Sequence, residues 1–479
     1  MNSASLGFAL GLAASGCLAD PGADVVSEDR QALGARAQLT LDRVEGELIT
    51  GSVCAPQVAG GGRRCFAHAH ATADGFVLAG AAPQGWGPAD LQNAYKIPTT
   101  IQGSPTVAIV DAYGYPQLEA DLAQYRTTFG LPACTTANGC LKVVNQTGAA
   151  TPLPPAPPAG DDWTLETALD IDMVSAACPS CKILVIQAQD SAGDGLEVAQ
   201  NTAAAMGAAV ISNSWGGPEQ AGQSLAAEEV YFNHPNVAVF VSAGDDGYND
   251  AGQGPDYPGT SAYVIAVGGT KLVKATNARG WTETAWTSGG SACSLSIAKP
   301  SYQTTSGCQF KATTDIAAVG DPATGVAVYN SRNGGWTVVG GTSASSPLVA
   351  SIFAATGNGT HTSGSFVKDN AAKLFDVTSG TNGTCGQAIL CTAGTGWDGP
   401  TGYGTPNATL LVATNGNTGT GSGSDPGGGG GVDGGGNGAG GVDDGFGDGT
   451  VEGGCNAGGS TGFGSLVLIG LVGSRRRRR

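Results

Sequence analysis

An α/β fold, a doubly wound and mainly parallel sheet with helices on both faces, is predicted for the middle of this chain on three observations. Short apolar runs recur at residues 106–111, 182–187, 209–214, 237–242 and 263–268. Most are continuous rather than alternating, as strands buried on both faces of a parallel sheet require. Between them, stretches such as 162–177 and 195–205 carry the spacing of helices, and regular alternation of this kind layers helices over one sheet. Such sheets carry their working groups in loops at the carboxyl ends of the strands.

The chain has 479 residues, and both of its ends differ in composition from this middle. Residues 4–16 are apolar, too few to span a bilayer, and close on Ala14-Ser15-Gly16, which reads residues 1–17 as an export signal. Cys17 follows it in the manner of a bacterial lipoprotein signal, although Ala14 stands where leucine is preferred and no Lys or Arg precedes the apolar run. Residues 18–87 form a short pro-segment or N-terminal region, and 88–413 the principal domain. Residues 414–454 are Gly with Asp, Asn, Ser and Thr, a composition that buries too little apolar surface to offset chain entropy and therefore reads as a linker. The last part, 455–479, holds Cys455, an apolar segment at 463–473 and the run Arg475 to Arg479. An apolar segment followed by basic residues is held in a membrane with its positive end inside the cell. This tail resembles the C-terminal sorting tails of myxobacterial surface proteins, and membrane contact is expected only through the terminal segments.

Hydrophobic residues make up 41% of the chain and charged ones 13%, enough for a large core under a surface of Gly, Ser, Thr, Asn and Ala. That texture is secreted rather than cytosolic. Thirty-nine acidic against 22 basic residues give a net charge of −17, which argues against nucleic acid as a partner and suits work at low pH. The 12 cysteines fall into close couples: Cys54 with Cys65, Cys134 with Cys140, Cys178 with Cys181, Cys293 with Cys308 and Cys385 with Cys391, leaving Cys17 and Cys455. Local disulfides in an oxidising compartment follow. The Cys178-Pro179-Ser180-Cys181 couple also has the form of a redox motif, but it precedes a strand-like run among other paired cysteines, so a structural bridge is expected.

The sharpest motif is Gly340-Gly341-Thr342-Ser343-Ala344-Ser345-Ser346-Pro347. It turns directly into an apolar helical stretch, placing Ser343 at a helix N-terminus, where free N–H groups favour a developing oxyanion. Pro347 is compatible with the first turn of that helix, where its missing N–H costs little. Taken alone, the same residues describe a serine cap in a Gly-rich loop.

A nucleophilic serine needs a base, ordinarily histidine. The four histidines, His68, His70, His234 and His361, all lie outside the usual settings, and Asp111, at the end of a strand, has none to orient. The segment Trp163-Thr164-Leu165-Glu166-Thr167-Ala168-Leu169-Asp170 offers two carboxyls instead. Four residues apart on a helix, Glu166 and Asp170 project from one face and can share a proton. A solvated acidic face would have the same spacing, but Trp163, Leu165 and Leu169 point to burial. Asp245 in Ser242-Ala243-Gly244-Asp245 ends another apolar run, where a protonated acid can donate to an oxyanion; the plainer reading is an Asp turn.

Together these motifs, with Leu91-Gln92-Asn93-Ala94-Tyr95 and Ser212-Asn213-Ser214-Trp215-Gly216-Gly217, resemble the sedolisins, the serine-carboxyl peptidases, over residues 91–406. The resemblance implies a subtilisin-like fold and an acid-active endopeptidase acting on proteins or peptides. It makes Ser343 the nucleophile, Glu166 the base and later acid, Asp170 its coupled carboxylate and Asp245 the oxyanion donor. Substrate backbone would lie along Ser212, Asn213, Ser214, Trp215 and Gly216. The family also carries a calcium site, and its pattern maps Ca2+ onto Asp376 and Asp398 with carbonyls of Val377, Gly394 and Gly396. The catalytic domain is expected to be monomeric, and the large propeptide of many members is not matched between Cys17 and Pro88. The rivals are a subtilisin-type peptidase with a histidine base and a surface-displayed module that keeps the fold without activity.

Overall fold

The computed structural model describes residues 39–45, 48–56, 62–98, 101, 103–220 and 223–413. The readings placed on 1–17, on 414–454 and on 455–479, with Cys17 and Cys455, lie outside these residues. The described residues begin with β1 (Thr40–Glu45), β2 (Leu48–Ser52), β3 (Arg64–Cys65) and β4 (His68–His70), then α1 (Pro88–Ala94) and β5 (Thr106–Ala112). Next come α2 (Leu118–Thr128), β6 (Leu141–Asn145), α3 (Trp163–Ala177), β7 (Lys182–Ala188), α4 (Gly195–Ala205), β8 (Val210–Asn213) and β9 (Trp215–Pro218). After α5 (Gln223–Glu229) follow β10 (Ala238–Ser242), β11 (Asp256–Tyr257), β12 (Ile265–Lys274) and β13 (Trp281–Ala285). The site is completed by β14 (Ile316–Val319), β15 (Val326–Asn330), β16 (Gly335–Gly340) and α6 (Thr342–Ala355).

All five apolar runs form strands of one sheet, ordered β13-β12-β10-β8-β5-β7-β6, with β14 also on β12. Every pairing from β6 to β12, and that of β14, is parallel; β13 alone joins antiparallel. β12 runs longer than its apolar stretch because its outer half, no longer walled on both sides, pairs with β13 from Thr270 to Lys274. Val107 to Val110 and Val239 to Val241 are wholly buried, which explains their unbroken hydrophobicity. Beginning in mid-sheet with β5, the chain steps out to β6, returns to β7 and then crosses to β8 on the other side. Such a reversal opens a crevice at the carboxyl ends of β5 and β8.

α3 and α6 pack on each other and on the sheet, while α4 packs on β5, β7 and β8. The N-terminal region is built into the same unit. Its strands continue an antiparallel sheet ordered β1-β2-β4-β16-β15, and β3 lies on β9 in a three-stranded sheet ordered β11-β9-β3. The close cysteine couples are all disulfides, Cys54–Cys65, Cys134–Cys140, Cys178–Cys181, Cys293–Cys308 and Cys385–Cys391; Cys178–Cys181 is thus a bridge between α3 and β7.

Candidate active site

α3 is apolar on nearly every side and buried along its whole length. A helix enclosed in this way tolerates polar side chains only when they are paired or neutral. Glu166 and Asp170 are fully buried on it, and Asp111 at the carboxyl end of β5 is buried with them. Burial first, and then the charge of Asp111, hold Glu166 well above the usual carboxylate range, against the Ser343 hydroxyl and the Ala67 backbone beside it. Asp170 is raised by burial, Asp111 and Glu166, with the Ser214 hydroxyl opposing. Asp111 itself is pushed up to about 7 by burial, Thr167 opposing. Three carboxyls this close share protons rather than ionise independently.

The hydroxyl of Ser214 donates to Asp170 Oδ1 at 2.8 Å. Glu166 has no hydrogen bond of normal geometry among the described residues, yet the Ser343 hydroxyl acts on it as a hydrogen-bonding neighbour. Ser343 Oγ donates to the Ser214 carbonyl at 3.1 Å. The carboxyl beside Ser343 is therefore shared between the serine, the Ala67 backbone and the Asp170 carboxyl with which it exchanges a proton.

Ser343 sits in the first turn of α6, capped by Gly341 at φ 100°, a left-handed conformation that favours glycine. A Cβ there would also collide with the Phe66 carbonyl oxygen. Pro347 lies in the second turn of α6 rather than the first. Lacking an N–H, it leaves the Ser343 carbonyl without its helical donor, and the Ser214 hydroxyl reaches that oxygen at 3.4 Å.

Asp245 follows β10 and is buried. Its Oδ1 accepts from Thr342 N at 2.8 Å and Thr342 Oγ1 at 2.6 Å. Its Oδ2 faces His68 Nε2 at 3.3 Å. Burial raises its pKa against the pull of His68 and Thr342. Of the other three histidines, His70 Nε2 lies 2.8 Å from the Pro322 carbonyl, His361 stacks on Phe366, and His234 lies before β10 with its Nε2 buried and without a hydrogen-bond partner among the described residues.

Of the five residues read as a substrate edge, Ser212 and Asn213 face inward. Ser212 Oγ meets Ser346 Oγ at 2.9 Å, and Asn213 Oδ1 accepts from Gln200 at 2.6 Å. Ser214, Trp215 and Gly216 present their backbone, and that edge is occupied by the chain itself. Arg64 pairs with Gly216 and Cys65 with Trp215, antiparallel, and Phe66 N donates to Ser214 O at 3.1 Å. Sequence reasoning missed this strap and the roles of Asp111 and His68. The Cys54 and Cys65 couple beside Arg63-Arg64 was the available signal, but its partner strand lies 150 residues onward in the chain.

The residues read as calcium ligands come together in one loop cluster. Gly394 N donates to Asp398 Oδ2 at 2.9 Å and Gly396 N to Asp376 Oδ2 at 3.0 Å. Asp398 is buried and raised to about 7, chiefly by burial, with Asp376 adding its charge against hydrogen bonds from Gly394 and Thr401. Val377 is buried beside them. No group of three or more His, Cys, Asp or Glu able to hold a metal occurs among the described residues. Among the described residues neither carboxylate forms an ion pair, and two carboxylates in a glycine-rich loop are oxygen donors of the kind that suits Ca2+.

A doubly wound parallel sheet with a serine opening the helix after β16, and acids at the ends of β5 and β10, defines a subtilisin-like protein whose serine is accompanied by carboxylic acids. The fold matches Pseudomonas sedolisin, a serine-carboxyl proteinase solved with two molecules of pseudo-iodotyrostatin, at TM-score 0.58 and 27% identity, over 69% of this chain and 98% of that one. The chain belongs to the subtilase family, whose sequence model matches residues 161–424, more than half of its length. Among curated relatives, kumamolisin of Bacillus sp. (strain MN-32) is 33% identical over 358 residues, 68% of this chain and 63% of its own. Sedolisin of Pseudomonas sp. (strain 101) is 29% identical over 376 residues, 70% of this chain and 62% of its own. The chain thus spans less than two thirds of the length of these two relatives.

Proposed function

We propose that the protein is a serine endopeptidase of the serine-carboxyl kind, active in acid on protein or peptide substrates. The observation that carries this reading is the carboxyl of Glu166 beside the Ser343 hydroxyl, in a buried group with Asp170 and Asp111. As Ser343 Oγ bonds to the peptide carbon, its proton passes to Glu166 and the carbonyl electrons move to oxygen. Asp170, hydrogen-bonded to Ser214 and coupled to Glu166, takes up part of that change in charge. Asp245 in its protonated form donates to the oxyanion. Collapse breaks the C–N bond, Glu166 returns the proton to the leaving nitrogen, and an acyl group remains on Ser343. Water then gives its proton to Glu166 and its hydroxide to the acyl carbon, and Ser343 leaves with the proton regained. Hydrolysis of denatured protein at acid pH, abolished by Ser343→Ala, tests the reading; no acid hydrolysis by the wild type overturns it, and leaves the fold as a silent module.

Asp376 and Asp398, with carbonyls of Val377, Gly394 and Gly396, are the residues that would hold Ca2+, and a bound ion would neutralise the two carboxylates and tie the loops together. Export follows from residues 1–17 and tethering from 455–479, with the principal domain acting as a monomer outside the cell. No helix among the described residues is long and apolar enough to cross a membrane.

A further inference from the structure

Residues 63–68 lie in the cleft as a peptide substrate would. Phe66 N is held by Ser214 O, the Phe66 carbonyl oxygen abuts Gly341, and the Ala67 backbone is beside Glu166. The Phe66–Ala67 bond is therefore the one presented to Ser343, carbonyl toward Asp245 and leaving nitrogen toward the acid. The Phe66 side chain is buried, and a Cβ on Gly216 would run into its ring, so glycine leaves the room that an aromatic side chain fills.

Two residues earlier, on the same side of the strand, the Arg64 guanidinium lies 5.3 Å from the centre of the Phe66 ring. It is hydrogen-bonded to Asp246 and stands 3.6 Å from Asp250 Oδ1. Both acids belong to the turn that follows Asp245, so this subsite is tied covalently to the oxyanion side of the centre. Burial opposes charge on Asp246, yet Arg64 holds its carboxyl below the usual range. Arg63 continues the pattern, hydrogen-bonded to Glu197 at 3.1 Å and paired with Glu228. When the strap is displaced, these acids lose their guanidinium, and a buried carboxylate without its partner is costly. A substrate that brings its own cation restores the pair.

We propose that Asp246 and Asp250 form a specificity subsite for a basic side chain two positions before the residue at the cleaved bond, selecting peptides of the pattern Arg-x-Phe with cleavage after the aromatic. The proposal rests on the peptidase reading above. Its test uses the full-length chain at acid pH and three internally quenched peptides, identical except for Arg, Ala or Glu two positions before Phe. Their kcat/KM values are compared within one enzyme sample, so the fraction of cleft covered by the strap cancels. We expect the Arg peptide to be preferred over Ala by about tenfold, the size of one well-formed charged contact, with Glu poorest. Asp246→Asn flattens the series, and Asp246→Lys inverts it toward Glu. Equal turnover of the three peptides by the wild type overturns the subsite while leaving the peptidase intact. So does an unchanged series in soluble, active Asp246→Asn. Should that variant fail to fold, the wild-type ranking of the three peptides decides by itself, since Asp250, raised to about 6 by burial and by Asp246, is neutral in the acid assay and leaves the charge to Asp246. Cleavage of none of the peptides, with no hydrolysis of denatured protein either, removes the peptidase reading and the subsite together.

Discussion

Asp245 and Glu166 divide the work at Ser343, and each has its own expected signature. Asp245→Ala deletes the oxyanion donor and should lower kcat by about a hundredfold or more, with little change in KM. Glu166→Gln removes the base and is expected to cost at least about a hundredfold as well. Replacing all four histidines with Gln should leave peptide kcat nearly intact, because in this scheme Glu166, and no histidine, takes the serine proton. The pH profile separates this chemistry from a histidine base. Glu166, Asp170 and Asp245 all bind protons more tightly than ordinary carboxyls. A protonated Asp245 and a shared proton on the pair are lost as pH rises, so the activity maximum lies on the acid side. A histidine base must be neutral and would gain activity through about pH 6 to 7; an optimum at pH 8 that vanished with one histidine would overturn the assignment.

At the scale of elements, the junction between β16 and α6 is the point of least tolerance. Gly341→Ala places a Cβ at φ 100° and against the Phe66 carbonyl, a conformational cost of about 1–3 kcal/mol before the clash. A lowered melting temperature is expected, and an unchanged one would show that the junction adapts. The parallel strands were legible in the sequence because burial on both faces leaves unbroken apolar runs such as Val107 to Val110. Glu166 and Asp170 were legible because helical spacing alone aligns them. Arg64 and Phe66 were not, since their places depend on pairing with a strand far along the chain, which no local pattern reports. Pro347 lies one turn deeper in α6 than a proline prefers because the helix starts at Thr342, directly after the glycine pair, and not beside the proline.

Over the whole molecule, buried acids set the response to pH. Asp111 and Asp398 are raised to about 7 and Asp256 to about 8, each chiefly by burial. A carboxyl whose folded value exceeds its unfolded one, about 4, keeps its full contribution below pH 4 and loses it as pH climbs through the folded value. Thermal stability should therefore fall between about pH 4 and pH 8, and a melting temperature rising across that range would contradict the burial of these groups. Calcium acts oppositely at Asp376 and Asp398, since an ion bound only by the folded form stabilises it by mass action. EDTA should lower the melting temperature of the wild type and leave Asp398→Ala unaffected; no effect on the wild type would remove the site.

The five disulfides join cysteines only 3 to 15 residues apart in sequence. Short closed loops take little entropy from the unfolded chain beyond what a nearby pair already lacks, so these bridges do little to tie distant parts of the molecule together. Their gain is in order of events. Each partner reaches an oxidising compartment almost alongside the other, and a close pair meets far more often than two cysteines from opposite ends. The correct set can close one after another while the rest of the chain is still being delivered, without a search among wrong pairings and before the central sheet has assembled.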